Sequence, residues 1–293
     1  MEERGEHINK PSLGKETRQF LKDSRLAAKK SLGQHFLVDR GVLGKILAAG
    51  EVTESDMVIE VGPGLGVLTV ELARLAKHVA CVEIDSKLAL SLEEKLAGFD
   101  NVNIVNKDIL ETSPSDLLPC DETRYKVVAN LPYYITSPVL RHFLEAVIPP
   151  DLMIVMVQKE VAKSITAPPG KMSLLSVGVQ LYGNAKIVAN VSAKSFHPVP
   201  KVESAIVRIA RYPEVVVPPQ HRASFFEIVR AGFGSPRKQL VNTLSHGLDI
   251  EKERTREKLL EAEIEPSRRA ESLSIDDWCR LWKVFQQAEG DTC

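Results

Sequence analysis

The residues best suited to chemistry stand in one short turn, Asn130-Leu131-Pro132-Tyr133, directly after a predicted strand over residues 126–129. An amine on an aromatic ring is a poor nucleophile because its lone pair is delocalised into the ring. The side-chain carbonyl of Asn130 and the main-chain carbonyl of Leu131 can each accept one amine hydrogen and favour a pyramidal nitrogen. Pro132 stiffens the turn, and Tyr133 can stack on a flipped-out base. The turn predicts activation of an aromatic amine, with an ordinary strand-ending turn as the alternative.

A glycine-rich loop lies earlier in the chain and reads Glu60-Val61-Gly62-Pro63-Gly64-Leu65-Gly66. It follows a predicted strand and opens a helix, where an α/β sheet brings backbone close to a ligand. Glycine removes the Cβ barrier to that approach. A dinucleotide fingerprint needs Gly or Ala three residues after Gly64, where this chain has Val67. The pattern resembles instead the first motif of class I methyltransferases, which use S-adenosylmethionine; a purely structural turn is the alternative.

Two acidic residues end the next two predicted strands. Glu83 can accept hydrogen bonds from both hydroxyls of a ribose, a role that suits NAD and S-adenosylmethionine equally. Asp108 is placed to accept from an adenine amino group. Either acid could instead cap a helix or stand in a solvated turn. Because ligands collect at the carboxyl edge of such sheets, the succession of loop and acids favours a ligand site.

Alternating strand and helix patterns must position these residues. Residues 57–61, 67–76 and 79–84 form a predicted βαβ unit. Further strands and helices are predicted at residues 87–96, 102–105, 126–129, 138–147, 152–157, 187–191 and 204–209. This order predicts a Rossmann-like α/β fold with a mostly parallel sheet covered on both faces.

The sequence pattern changes after Tyr212. Prolines interrupt regular structure there, and the apolar residues that follow have helical spacing. Helices are predicted at residues 224–233, 238–248, 256–263 and 275–287. We therefore expect a methyltransferase domain over residues 29–212 and a small all-helical domain over residues 213–293. The first 28 residues are polar and weakly patterned, and we expect a flexible basic extension there.

Two details of the last predicted helix can be read from its residues. Ser274 followed by Asp277 resembles a capping box. Four large apolar side chains follow at helical spacing and predict a buried face. They are Trp278, Leu281, Trp282 and Phe285.

The formal net charge of −1 does not itself indicate a polyanionic partner. Residues 1–30 nevertheless hold eight basic residues against five acidic ones, and residues 201–240 hold seven against three. A solvated surface is the alternative explanation of such runs. The longest apolar run, residues 152–157, is far shorter than the ~20 residues of a membrane-spanning helix.

The N-terminus has mixed charge and lacks the apolar core of a signal peptide, so a cytoplasmic location is the expectation. The four cysteines are far apart in sequence and form no CxxC pair. We therefore expect neither a disulfide framework nor a zinc site.

Taken together, ordered segments from about Lys29 onward closely resemble the ribosomal RNA adenine dimethyltransferases, a family of class I S-adenosylmethionine-dependent enzymes. The segments are Lys30-Ser31-Leu32-Gly33-Gln34-His35-Phe36-Leu37, the glycine loop, Val82-Glu83-Ile84-Asp85, Asp108-Ile109-Leu110, Asn130-Leu131-Pro132-Tyr133-Tyr134-Ile135-Thr136-Ser137-Pro138, and Phe196-His197-Pro198-Val199-Pro200-Lys201-Val202-Glu203-Ser204. The resemblance implies methylation of N6 on two adjacent adenosines near the 3′ end of 16S rRNA in the small ribosomal subunit.

The resemblance also implies roles for individual residues. The implied cofactor contacts are His35, Leu37, Gly62, Gly64, Glu83, Asp108 and Asn130. The implied catalytic residues are Asn130, Leu131, Pro132, Tyr133 and Phe196, the last closing the other face of the base. The family usually has Asn where this chain has His35. This difference affects a contact of the side chain with the cofactor more than a contact of the backbone.

The family's small C-terminal domain helps hold the ribosomal substrate, mainly through RNA shape and phosphates. This implies RNA-binding roles for Arg222, Arg230, Arg237 and Lys238. With S-adenosylmethionine as cofactor and the small ribosomal subunit as partner, we expect a monomer that needs neither membrane nor metal.

Three other functions compete with this interpretation. Large-subunit rRNA methyltransferases of the macrolide-resistance type have shorter chains and a turn that more often reads Asn-Ile-Pro-Tyr. A non-catalytic RNA-binding assembly factor would not need the intact Asn130 to Tyr133 turn. A protein-glutamine methyltransferase shares the turn chemistry but would not explain the segment from Phe196 to Ser204.

Overall fold

The computed structural model describes residues 12–24, 26–119 and 124–287. Its helices and strands follow one another in chain order as α1 (Leu13–Asp23), β1 (Phe36–Leu37), α2 (Arg40–Gly50), β2 (Met57–Val61), α3 (Val67–Leu75), β3 (His78–Val82), α4 (Ser86–Leu96), β4 (Val102–Val105), β5 (Lys126–Asn130), α5 (Thr136–Leu144), β6 (Leu152–Gln158), α6 (Lys159–Ile165), α7 (Leu174–Gln180), β7 (Gly183–Val191), β8 (Phe196–His197), β9 (Ser204–Arg211), α8 (Arg222–Phe233), α9 (Leu240–Leu248), α10 (Lys252–Glu261) and α11 (Ile275–Gln287).

Seven strands form one mixed sheet in the order β4-β3-β2-β5-β6-β9-β7. The pairs from β4 to β6 are parallel, and β9 pairs antiparallel with both β6 and β7. The predicted Rossmann-like, mostly parallel sheet is therefore confirmed, with an antiparallel edge. The strand order reverses at β2, which lies between β3 and β5, and such a reversal opens a crevice at the carboxyl ends of the strands.

The sheet is buried on both faces because its central strands carry apolar side chains on both of their faces. Along β2, Met57, Ile59 and Val61 belong to one apolar cluster, whereas Val58 belongs to another. This alternation follows the period of two in a strand. Helix α5 packs in the first cluster, and helices α2 and α3 pack in the second. The expectation of helices on both faces is thus confirmed.

The C-terminal region is helical, as predicted, and has its own apolar cluster around Trp278. The four residues of the predicted apolar stripe on α11 all lie in this cluster. The capping box is also confirmed, because the Ser274 backbone N–H donates to Asp277 at 3.0 Å and the Asp277 backbone N–H donates to the Ser274 hydroxyl at 3.1 Å.

Part of the chain before β7 contributes to the same helical core. Met172, Val177 and Leu181 pack in the cluster of α8 to α11. The carbonyl oxygen of Glu271 accepts backbone hydrogen bonds from Gly170 at 2.8 Å and Met172 at 3.1 Å. The helical region and the sheet region therefore share buried residues and backbone hydrogen bonds.

The expectation of a flexible extension before residue 29 is wrong for α1. This helix buries Leu13, Thr17 and Leu21, which are spaced four residues apart and so share one face. Leu21 packs with Phe36 and other apolar residues beside the glycine loop. The basic residues between them obscure this short apolar stripe in the sequence. The part of the expectation that concerns residues 1–11 lies outside the described residues.

Candidate active site

A cavity lies at the carboxyl edge of the sheet, where β2 separates β3 from β5. It is lined by the glycine loop, the ends of β3 and β5, the segment around Asp108 and residues 32–37. Residues 29–37, which precede α2 in the chain, lie along this edge of the sheet, and we call them the strap. The cavity brings together the predicted cofactor residues His35, Leu37, Gly62, Gly64, Glu83, Asp108 and Asn130.

The glycine loop makes a close cradle in which side chains do not fit. Gly62 and Gly64 have φ values of +66° and +58°, a region that favours glycine. A Cβ atom on Gly64 would lie 3.1 Å from the Phe36 ring, and one on Gly62 would lie 3.5 Å from Pro132. The backbone can therefore approach a ligand closely here. This geometry agrees with the S-adenosylmethionine site that the sequence predicts.

Glu83 is held firmly at the end of β3. Its two carboxylate oxygens accept hydrogen bonds from the backbone N–H groups of Asp85 at 2.9 Å and Gly64 at 3.1 Å. Burial raises the pKa of Glu83, against the effect of these hydrogen bonds. Each oxygen keeps acceptor capacity beyond its backbone partner, so the side chain can still receive ribose hydroxyls.

Asp108 combines a structural role with its place in the cavity. One carboxylate oxygen accepts from the Leu110 backbone N–H at 2.9 Å and caps a short 3-10 helix at residues 109–111. The helix-cap alternative is therefore realised, and the second oxygen can still act as an acceptor toward a ligand.

Glu60 lies deepest among the acids of this edge, with 2% of its surface exposed. Burial raises its pKa to about 8. The Cys81 thiol donates to the Glu60 carboxyl at a distance of 3.8 Å. The sequence indicated Glu60 only as the first residue of the glycine loop, and its burial follows from its place within the central strand β2.

The turn from Asn130 to Tyr133, which is predicted to be catalytic, has a defined orientation. The Asn130 Nδ2 atom donates to the carbonyl oxygen of His35 at 3.1 Å, which leaves the Asn130 Oδ1 atom as the available acceptor. The Leu131 backbone N–H donates to Met156 on the neighbouring strand β6 at 3.1 Å. The Asn130 side chain is thereby tied to the strap, and the Leu131 backbone is tied to the sheet.

Tyr133 is held on its ring face and at its hydroxyl. The His35 and Tyr133 rings lie 5.8 Å apart between centroids with an interplanar angle of 26°. The Tyr133 and Ser204 hydroxyl oxygens lie 2.7 Å apart in a hydrogen bond, and burial raises the pKa of Tyr133. The His35 Nδ1–H donates to the Pro198 carbonyl oxygen at 2.7 Å. Ser204 was part of a recognised segment, but no sequence pattern gave it this contact.

Two residues with expected roles lie apart from the site. Phe196 does not line the cavity, because it pairs with Leu37 in the small sheet of β1 and β8 and is 2% exposed in an apolar cluster. Arg222 donates to the Glu145 carbonyl oxygen at 3.0 Å and lies over the Tyr182 ring. The implied contacts of Phe196 with a base and of Arg222 with RNA are therefore corrected: both side chains are engaged within the protein.

The other three residues of the expected RNA surface have exposed side chains. Arg230 lies on α8, and Arg237 and Lys238 lie in the loop between α8 and α9. Within residues 12–24, 26–119 and 124–287, no group of three His, Cys, Asp or Glu residues is arranged to hold a metal ion. No helix in the same described ranges has the length and apolarity to span a membrane.

Comparison with known proteins gives a consistent set of relatives. The family described as Ribosomal RNA adenine dimethylase matches residues 25–287. A Ribosomal RNA small subunit methyltransferase A from Dehalococcoides mccartyi is 48% identical over 277 residues, covering 94% of this chain and 95% of the relative. The protein of the same name from Bacillus pumilus is 40% identical over 280 residues, covering 93% and 96%.

Solved structures resemble the whole fold as well. A dimethyladenosine transferase from Plasmodium falciparum has a TM-score of 0.74 and 26% identity, covering 87% of this chain and 98% of the other. The 23S rRNA methyltransferase ErmE has a TM-score of 0.69 and 31% identity, covering 86% and 100%. The similarity thus extends over both the sheet and the helical region.

Proposed function

The chain belongs to the ribosomal RNA adenine dimethylase family, and from that premise we propose that it methylates N6 of two adjacent adenosines near the 3′ end of 16S rRNA. S-adenosylmethionine supplies the electrophilic methyl group when bound. The observation that carries the proposal is the shared position of two sites: the amine-activating turn and the glycine cradle line one cavity.

We propose that the chain's own residues hold the cofactor at the carboxyl edge of β2, β3 and β5. The backbone around Gly62 and Gly64 receives the part of the ligand nearest the loop. Glu83 accepts from the ribose through the acceptor capacity that each of its two oxygens keeps beyond one backbone hydrogen bond. Asp108 accepts from the adenine amino group with the carboxylate oxygen that does not cap the short helix. His35 and Leu37 close the cavity from the strap.

The acceptor amine is activated by position and by oriented dipoles. Asn130 Oδ1 and the Leu131 carbonyl oxygen accept its two hydrogens, while the Tyr133 ring stacks on the base. No strong general base is required, because the proton can leave after the methyl group has been transferred. Orientation and electrostatic stabilisation of the developing positive charge supply the acceleration.

The substrate is proposed to be the small ribosomal subunit, met by a monomer in the cytoplasm. We propose a methyltransferase domain at residues 29–212 and an RNA-holding helical domain at residues 213–293. The exposed side chains of Arg230, Arg237 and Lys238 would contact phosphates, and Arg222 is left out because it is engaged within the protein.

The direct test supplies labelled S-adenosylmethionine with unmethylated small and large ribosomal subunits and maps the modified bases. We expect label in two adjacent adenosines near the 3′ end of 16S rRNA, and none in 23S rRNA. Label in 23S rRNA alone would support the macrolide-resistance type of activity. Cofactor binding without label in either subunit would instead support an assembly factor.

A further inference from the structure

We propose that Asp85 is a positioning residue for cofactor binding, which latches the strap over the cavity through Lys29 and Gln34. Asp85 does not line the cavity itself. The inference rests on the proposed function only in taking this cavity as the S-adenosylmethionine site. It gives the strap a second attachment besides the contact of His35 with Asn130.

The latch consists of direct contacts to one carboxylate oxygen of Asp85. The Lys29 ammonium lies 2.9 Å from Oδ2, and the Gln34 side-chain amide donates to the same atom at 3.2 Å. Gln34 in turn accepts from the Lys29 backbone N–H at 2.7 Å. Both ends of the short turn between Lys29 and Gln34 are thus tied to Asp85, which lies between β3 and α4.

Asp85 also connects this turn to the cofactor acid. Its backbone N–H donates to Glu83 at 2.9 Å, and its second carboxylate oxygen accepts from the Lys87 backbone N–H at 3.2 Å, which caps α4. Glu83 in turn binds the Gly64 backbone N–H. A continuous chain of hydrogen bonds therefore runs from the strap through Asp85 and Glu83 to the glycine loop.

The opposite charges of Asp85 and Lys29 strengthen the contact between the strap and the segment that follows β3. The side chain of Asp85 is 4% exposed, whereas that of Lys29 is 47% exposed. Burial opposes the charge on Asp85, but the hydrogen bonds from Lys29, Gln34 and the Lys87 backbone, together with the Lys29 charge, outweigh it and hold the pKa of Asp85 below its usual value. A buried carboxylate that loses its cation is strongly disfavoured. The strap is therefore held most firmly when Lys29 lies across Asp85.

The test compares wild type with Asp85→Asn, Lys29→Met and the double variant. Calorimetry measures S-adenosylhomocysteine binding, and steady-state assays give KM for S-adenosylmethionine and kcat on small subunits. We expect each single change to weaken binding by about 5- to 20-fold, the low end of typical coupling between sites. KM for the cofactor should rise in parallel, while kcat at saturating cofactor stays within about twofold because bound cofactor itself holds the strap, and with it the His35 contact to Asn130, in place.

The double variant should bind about as weakly as the weaker single variant, because both changes open the same latch. The matched control is Lys163→Met, which removes an exposed lysine paired with Glu160 on α6 and should bind like wild type. Thermal unfolding checks the fold of each protein, and Lys29→Met remains informative if Asp85→Asn fails to fold.

Two results would overturn the latch while leaving the proposed function intact. One is wild-type affinity in Lys29→Met, and the other is fully additive losses in the double variant. Failure of the wild-type protein to bind S-adenosylhomocysteine at all would instead contradict the proposed function. The two failures are therefore distinguishable within one set of titrations.

Discussion

The Asn130 side-chain amide donates to the protein through its nitrogen and keeps its oxygen available to accept from a substrate. Its Nδ2 atom is occupied by the His35 carbonyl oxygen, so its Oδ1 atom is the acceptor that remains. At the scale of residues, the activity depends on keeping this amide in place while the cofactor cavity stays intact.

We expect Asn130→Ala to lower kcat by about 100-fold or more, the usual cost of losing one preorganised polar group at a reacting centre. Cofactor binding should be retained in part, because the glycine loop, Glu83 and Asp108 remain. Methyl transfer to small subunits and calorimetric titration with S-adenosylhomocysteine measure the two effects separately. Comparable turnover in wild type and variant would remove the proposed role of Asn130.

Glu60 predicts a pH dependence of stability. Its pKa is about 8 in the folded protein, against an ordinary value of 4.5, so folding favours the protonated form. Its stabilising contribution is fully present below pH 4.5 and is lost as pH rises towards 8. The free energy of unfolding of wild type relative to Glu60→Gln should therefore fall by about 1 kcal/mol per pH unit across this window. Urea unfolding of both proteins at pH 5 to 8 measures this difference, and parallel curves would contradict it.

Site residues can be predicted from the sequence when their positions are determined by residues close to them in the chain. The cofactor cradle and the Asn130 turn could be predicted, because residue type and strand ends already determine their positions. The partner of the Tyr133 hydroxyl could not, because Ser204 lies 71 residues away along the chain. Lys29 and Asp85 meet for the same reason, through tertiary packing that no local pattern records.

At the scale of elements, the strongest patterns gave the best predictions. Strands β2 and β4 and helix α11 begin and end at the predicted residues, since β-branched runs and a wide apolar stripe are strong signals. Helices α6 and α7 span only seven residues each and were not predicted, because so short a stretch holds about two turns. Helix α1 was missed because its apolar stripe is only three residues long.

The contact between α8 and α9 gives a test at this scale. A Cβ atom on Gly247 would lie 2.7 Å from Ala231 Cβ, so Gly247→Ala should force the helices apart and lower the free energy of unfolding by about 1–3 kcal/mol. The control is Gly178→Ala on α7, where nothing lies within 4 Å of the added atom; this change should stabilise by up to about 1 kcal/mol. Chemical denaturation compares the two, and equal effects would argue against tight packing of α8 on α9.

At the scale of the whole molecule, the net charge of −1 does not indicate that part of the surface is locally basic. Composition could not locate that surface, because it does not say which basic side chains are used inside the protein. The fold separates Arg222, which binds Glu145, from the exposed Arg230, Arg237 and Lys238. Binding to a polyanion should therefore depend on these three exposed residues.

We expect replacement of Arg230, Arg237 and Lys238 by Gln to weaken binding of small subunits. The slope of log affinity against log salt should also become shallower by about 2, because each lost phosphate contact contributes roughly 0.7 to 0.9. The matched control replaces the exposed Lys252, Arg254 and Arg256 of α10, which should leave the slope nearly unchanged. Filter binding over a range of salt concentrations measures both, and equal slopes in wild type and variant would identify a merely solvated face.

The core shared by Met172, Val177 and Leu181 with the C-terminal helices limits how such proteins can exchange parts. A chimera joined near residue 212 would separate those three side chains from the partners with which they were selected. It would also place residues from two different proteins on the two sides of the backbone hydrogen bonds that Glu271 accepts from Gly170 and Met172. The helical region can therefore be exchanged between relatives with its packing intact only if this inner loop and α7 are exchanged with it.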